Sequence, residues 1–164
     1  MNVLELPQWK WIVFDAEADD LLLGATRMWV LSLKDYHTGA VETYLEGQMG
    51  WMDRLSNAKM VIGHNIIDYD FELFRKLYSY KLPNSVKIFD TLIYSRVLNY
   101  RRFGNEGHSL DRWGQWLGIQ KPVHEDWSRF SPEMLNRNLV DVDINTHVFD
   151  QVRTEFDALF AKQP

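Results

Sequence analysis

At 164 residues the chain is long enough to close one hydrophobic core and short for two, so a single domain is expected over 1–164, with its motif-bearing part at about 10–150. Hydrophobic residues make up 46% and charged residues 25%, no apolar run nears the roughly 20 residues that span a bilayer, and the opening Met-Asn-Val-Leu-Glu-Leu-Pro has no charged segment leading into an apolar one; these features exclude a membrane-embedded class and leave the cytoplasm as the expected location. Cysteine is absent, which removes disulfides and thiolate metal sites, and the net charge of −5 argues against a broad basic face that grips duplex by phosphate contacts alone, while remaining compatible with an acidic, metal-holding nucleic-acid site.

The run Lys10–Phe14 is nearly continuous in apolar residues and ends in acids, as a buried strand does whose C-terminal end reaches a site. Arg27–Leu33 and Val41–Leu45 are rich in β-formers, and His37-Thr38-Gly39 between them supplies turn residues, so they read as a hairpin. A helix through Trp51, Met52 and Leu55 follows, then a strand at Lys59–Gly63, then a helix carrying Phe71, Phe74 and Tyr78. Val86–Phe89 reads as a strand and Thr91–Leu98 as a helix. Tyr100–Gly107 reads as a loop, and Ser109–Leu117 as a helix closed by Gly118. Ser131-Pro132-Glu133 opens a last helix that runs past Phe149, with serine as N-cap, proline in the first turn and glutamate near the positive end of the dipole. Strands first and then helices alternating with strands predict an α/β fold, a mixed sheet with helices on its faces.

Three acidic clusters stand out. Asp15 and Glu17 follow the first strand, and alternation along an extended chain sends both carboxylates to one side. His64-Asn65-Ile66-Ile67-Asp68-Tyr69-Asp70 lies between a strand and a helix, where Asp70 also suits an N-cap. Asp141 and Asp143 fall within the last helix, where aspartate is a mediocre helix former and needs solvent or a partner. Taken singly, each cluster has a bland reading as solvated surface.

The order of the three is more specific: Asp-x-Glu after the first strand, His-Asn followed by Tyr-Asp after a later one, and Asp141-Val142 with Asn145 on the C-terminal helix. Asp90-Thr91-Leu92 before Ser95-Arg96-Val97-Leu98, and His108-Ser109-Leu110 with Trp113-Gly114 and Leu117-Gly118, lie between them. This ordered set, spanning about Trp11 to Phe149, resembles the exonuclease motifs of the DEDD superfamily, and within it the 3′→5′ proofreading exonuclease domain of phage family-A DNA polymerases. The resemblance implies a ribonuclease-H-like mixed β-sheet flanked by α-helices. It implies that Asp15, Glu17, Asp70 and Asp141 are catalytic carboxylates holding two divalent cations, Mg²⁺ or Mn²⁺, with Asp15 shared by both, Glu17 and Asp141 on the one that activates water and Asp70 on the second. Hard cations take carboxylate oxygens and leave positions open for substrate, and two such ions about 4 Å apart serve in-line hydrolysis of a phosphodiester. The expected activity is release of nucleoside monophosphates from single-stranded or frayed DNA 3′ ends, with RNA ends the lesser alternative. A DNA polymerase is the candidate protein partner, and the host cytoplasm the location if the chain is phage-encoded.

One position departs from the pattern. The family orients water with a tyrosine four residues before its last aspartate, or a histidine five before it; Arg137 and Asn136 stand there. Arg137 is therefore a candidate contact to the scissile phosphate, and a weakened module that binds nucleic acid or docks on a polymerase is the alternative reading. Leu22, in the run Leu21–Leu23, is the candidate wedge against a terminal base, and His64 and Asn65 are candidates for shaping the substrate site, more by fixing its backbone than by ligating metal. Tyr100-Arg101-Arg102-Phe103 has the composition of a single-strand contact, and Trp113 and Trp116 are expected to pack inward.

Overall fold

A computed structural model describes residues 8–161; the N-terminal heptapeptide read above lies outside them. Strands β1 (Trp11–Ala18), β2 (Met28–Asp35), β3 (Val41–Leu45), β4 (Met60–Gly63) and β5 (Lys87–Asp90) form one sheet in the order β3-β2-β1-β4-β5. The first three strands run antiparallel, while β4 and β5 run parallel to β1. Helices α1 (Trp51–Ser56), α2 (Asp70–Tyr78), α3 (Thr91–Leu98), α4 (Leu110–Leu117) and α5 (Pro132–Phe160) flank it. No helix among the described residues is long and apolar enough to cross a membrane.

The helix ends follow their sequence signals. Ser109 and Ser131 accept hydrogen bonds from the amides of Arg112 and Met134, proline fills the first turn of α5, and Gly118 closes α4 in the left-handed conformation. The first strand is longer than its apolar run, because pairing with β2 continues through Asp15 and Glu17 up to an irregularity at Glu17/Ala18. The two acids therefore sit on the strand, not beyond its end.

Alternation along β1 then divides the molecule. Ile12, Phe14, Ala16 and Ala18 join Trp51, Leu55, Leu73 and Phe74 in the core beneath α1 and α2. Val13 turns the other way, to Val142 and Phe149 of α5. Asp15 and Glu17 share the Val13 face, so the strand's own period aims them at α5. Gly63 ends β4 where a Cβ would meet Ile66 at 2.2 Å and the Phe14 carbonyl at 3.2 Å, so a side chain there would push the β4–α2 loop off the strand.

Three sequence expectations change. Trp113 is fully buried but Trp116 is 53% exposed, because the inward stripe of α4 runs through Leu110, Trp113 and Gly114 and a three-residue step falls at its edge. In the loop after α3, Phe103 enters the core and Arg102 pairs with Glu155 while stacking on Trp113, which leaves Tyr100 and Arg101 as its outward members. Asp70 is the first residue of α2 and not its cap, since Tyr69 takes the cap position and makes no side-chain cap bond.

Candidate metal centre

Asp15 and Glu17 on β1 meet Asp141 on α5, and one carboxylate oxygen of each lies within 4.8 Å of the others. Helical spacing builds the α5 side. Asn138, Asp141 and Asn145 recur one and two turns apart and are all buried, Asn138 and Asp141 toward β1 and Asn145 against Thr91 of α3. Asp143 points elsewhere, half exposed and paired with Lys34 at 3.0 Å. Asn138 donates to the backbone carbonyl of Asp15 at 2.9 Å and to its carboxylate at 3.0 Å, fixing that side chain from across the cleft.

Asp70, at the start of α2, is buried and lies outside the three-residue group. Burial and then the charge of Asp15 raise its pKa well above the usual carboxylate range. Burial, then Glu17 and Asp141, does the same to Asp15. Glu17 is pushed up to about 8 by burial and Asp141, against the pull of Arg137 and Lys121. Asp141 is raised by burial, with Lys121 and Arg137 opposing. Four carboxylates gathered in a poorly hydrated space repel one another, and a divalent cation relieves that repulsion.

The donor set fits such a cation. Glu17 Oε1, Asp70 Oδ1 and Asp141 Oδ1 are buried oxygens without a hydrogen-bond partner, and buried carboxylate oxygens do not stay unpaired without cost. Oxygens up to 4.8 Å apart can share one ion whose ligand distances are about 2.0–2.6 Å.

The remaining expected residues fall around this centre in different ways. His64 Nε2 donates to the His108 carbonyl at 2.8 Å, and its Nδ1 lies within hydrogen-bond distance of the Thr91 hydroxyl at 2.9 Å. Burial holds the ring neutral, with a pKa near 4. Both ring nitrogens thus brace the protein around the site. Asn65 takes a left-handed φ of 62°, and its amide and that of Ile67 donate to Asp90, whose carboxylate also caps α3. Leu22 packs against the core under β1, whereas Leu21 is 78% exposed and lines a cleft of about 330 Å³ with Glu17, Tyr69 and Trp127; the outward leucine at this cleft is Leu21 and not Leu22. Arg137 donates to the Pro122 carbonyl at 2.7 Å, lies over Trp127, and brings Nε to 3.9 Å from Glu17.

Sequence reasoning did not reach Lys121. Its ammonium lies 2.9 Å from Asp141 and 3.3 Å from Asp111. It belongs to the irregular segment between α4 and α5, where no periodicity or motif marks a residue. Asn138 was legible in principle, as a polar residue sharing the face of Asp141 and Asn145. Asp90 lay within a recognised motif without its bracing role being evident.

No protein-family model matches the chain. In sequence it is similar to the DNA-directed DNA polymerases of Enterobacteria phage T3 and Escherichia phage T7, each 24% identical over 189 aligned positions that cover 88% of this chain and 27% of the polymerase. The chain thus spans about a quarter of the length of these relatives. In structure it is similar to NrnC of Brucella melitensis bound to pGG, with a TM-score of 0.73 and 14% identity over 96% of this chain and 78% of that one. NrnC is also solved with bound Mg²⁺, at a TM-score of 0.71 and 13% identity over 99% and 81% of the two chains. It is similar as well to Escherichia coli RNase D, an exoribonuclease, with a TM-score of 0.66 and 16% identity over 92% and 40%. The resemblance drawn from the motifs is borne out, and the fold is the ribonuclease-H-like mixed sheet that these structures share.

Proposed function

We propose that the protein is a metal-dependent 3′→5′ exonuclease that hydrolyses phosphodiester bonds at single-stranded or frayed DNA ends and releases nucleoside monophosphates. The observation that carries the reading is the convergence of Asp15, Glu17 and Asp141 within 4.8 Å, with buried, unpartnered oxygens on Glu17 and Asp141. Asp15, Glu17 and Asp141 would hold one divalent cation, and Asp70, whose carboxyl feels the charge of Asp15, would help hold a second. Bound there, Mg²⁺ or Mn²⁺ supplies Lewis acidity for attack by water and for departure of the 3′ oxygen.

The chain's own residues account for the rest. Asn138 keeps Asp15 aimed at the cleft. Tyr69 and Trp127 offer aromatic walls beside Glu17, and Leu21 an apolar lip, which suit a terminal base that has left its stack. Arg137 stands where the family places its water-orienting tyrosine, and its bond to Pro122 ties the 119–131 segment to α5 instead. Its guanidinium also offsets the negative charge of Glu17. DNA is preferred as substrate on the similarity to phage DNA polymerases, and RNA is the competing substrate because fold neighbours include an exoribonuclease. A second reading, a module that binds without cutting, draws on the ion pair between Lys121 and Asp141, which occupies one oxygen of a candidate ligand.

The test is digestion of 5′-labelled single-stranded DNA and RNA oligonucleotides of one sequence in Mg²⁺ or Mn²⁺, with EDTA and an Asp15→Ala, Glu17→Ala double variant as controls. A ladder shortening from the 3′ end, stronger on DNA and absent from both controls, is expected. Cleavage no greater than that of the folded double variant overturns the enzyme reading and leaves the binding module.

A further inference from the structure

Lys121 brings a cation to a carboxylate of the candidate metal site. Its side chain is 14% exposed, and its ammonium bridges Asp141, whose side chain is 5% exposed, to Asp111, whose side chain is 62% exposed. Asp141 Oδ2 receives the lysine while Oδ1 stays buried and unpartnered. The lysine thus neutralises a candidate metal ligand and has a second acidic partner already in place at the rim.

The segment that carries it is fixed on its far side. Arg137 holds the Pro122 carbonyl, and Trp29 Nε1 donates to the Trp127 carbonyl at 2.9 Å. Between these pins and α4, a cleft of about 570 Å³ is lined by Asp111, Lys121 and Arg137 among others, so the ammonium has open space beside it. A divalent cation on Asp141 would repel the ammonium at close range, and in a poorly hydrated site that repulsion is strong. Leaving Asp141 costs the lysine one ion pair and not two, because Asp111 remains.

From this we infer that Lys121 is an exchangeable counter-ion: it holds Asp141 in the cation-free protein, moves onto Asp111 when a divalent cation enters, and there uses its remaining N–H donors to bind the phosphate of the nucleotide. A compact ammonium with three donors can serve a carboxylate and a phosphate together. This assignment rests on the nuclease reading above and adds a phosphate-contacting residue to it.

The test compares the full chain with Lys121→Met and Lys121→Arg. Mn²⁺ affinity is read without nucleotide from the paramagnetic resonance of free Mn²⁺, and thymidine 5′-monophosphate affinity is read in saturating Mn²⁺. Lys121→Met is expected to bind Mn²⁺ about tenfold more tightly and the nucleotide about tenfold more weakly, with Lys121→Arg near wild type in both. A lysine that only ties the loop down would lower thermal stability without this opposed pair of changes. Lys121→Gln replaces Lys121→Met if the latter does not fold. Unchanged or weaker Mn²⁺ binding, or unchanged nucleotide binding, overturns the assignment. If the wild type binds Mn²⁺ and cuts DNA while Lys121→Met matches it, this inference alone falls; if none of the proteins binds Mn²⁺, the nuclease reading falls with it.

Discussion

Glu17 keeps its proton to about pH 8 because burial and Asp141 both oppose a negative charge there, and Arg137 and Lys121 offset them only in part. The unfolded chain releases that proton near pH 4.5, so between the two values the folded state binds more protons and loses stability as pH rises. Asp15, Asp70 and Asp141 are shifted in the same direction. His64, lowered to about 4, opposes this trend only in acid, being neutral in both states above about pH 7. In EDTA the melting temperature is therefore expected to fall from pH 6 to 8 and to recover with Mn²⁺, as calorimetry would read. Glu17→Gln should raise stability at pH 8 by about 2 kcal/mol, or roughly 4–8 °C, and abolish hydrolysis; a destabilised Gln variant would contradict the electrostatic account. At this scale the acids were legible in the sequence because their order is distinctive. Lys121 was not, because a residue on an irregular segment acquires its neighbours only when α4 and α5 are packed.

Among the elements, the β4–α2 loop and the start of α3 are held by a single carboxylate. Asp90 accepts from the amides of Asn65, Ile67, Leu92 and Ile93, and so serves the loop leading to Asp70 and the helix beside it together. Asp90→Ala removes a cap and strands buried amides, which should cost about 2–4 kcal/mol in urea unfolding and depress hydrolysis by displacing Asp70. A loss below about 1 kcal/mol would mean that water replaces the carboxylate there. Every element of the sheet and its helices was legible, because β-formers, turn residues and caps agreed with the hydrophobic period. Boundaries moved where tertiary pairing overrode local preference: β1 continues through two acids because β2 offers Ser32 and Val30 as partners. The inward turn of Arg102 and Phe103 was invisible in a segment whose composition reads as solvated loop.

Across the whole molecule, the long helix α5 carries both the packing and the chemistry of one face of the sheet. Asn138 and Asp141 address the acids of β1, and Val142 and Phe149 address the apolar half of the same face. Phe149 touches Trp11, Tyr36 and Phe89 edge-on, joining β1, β5 and the turn after β2 to the helix. Phe149→Ala should cost about 3–5 kcal/mol in denaturant unfolding, and activity should fall as the bearing of α5 loosens; an activity that survives intact would separate site from packing. In the proposed nuclease β1 and α5 together build a cation site, and crystals soaked in Mn²⁺ test this most directly through anomalous scattering. The expected result is a peak within coordination distance of Asp15, Glu17 and Asp141, lost in Asp15→Asn crystals. A soaked crystal with no peak among these carboxylates, and with Lys121 still on Asp141, would contradict it.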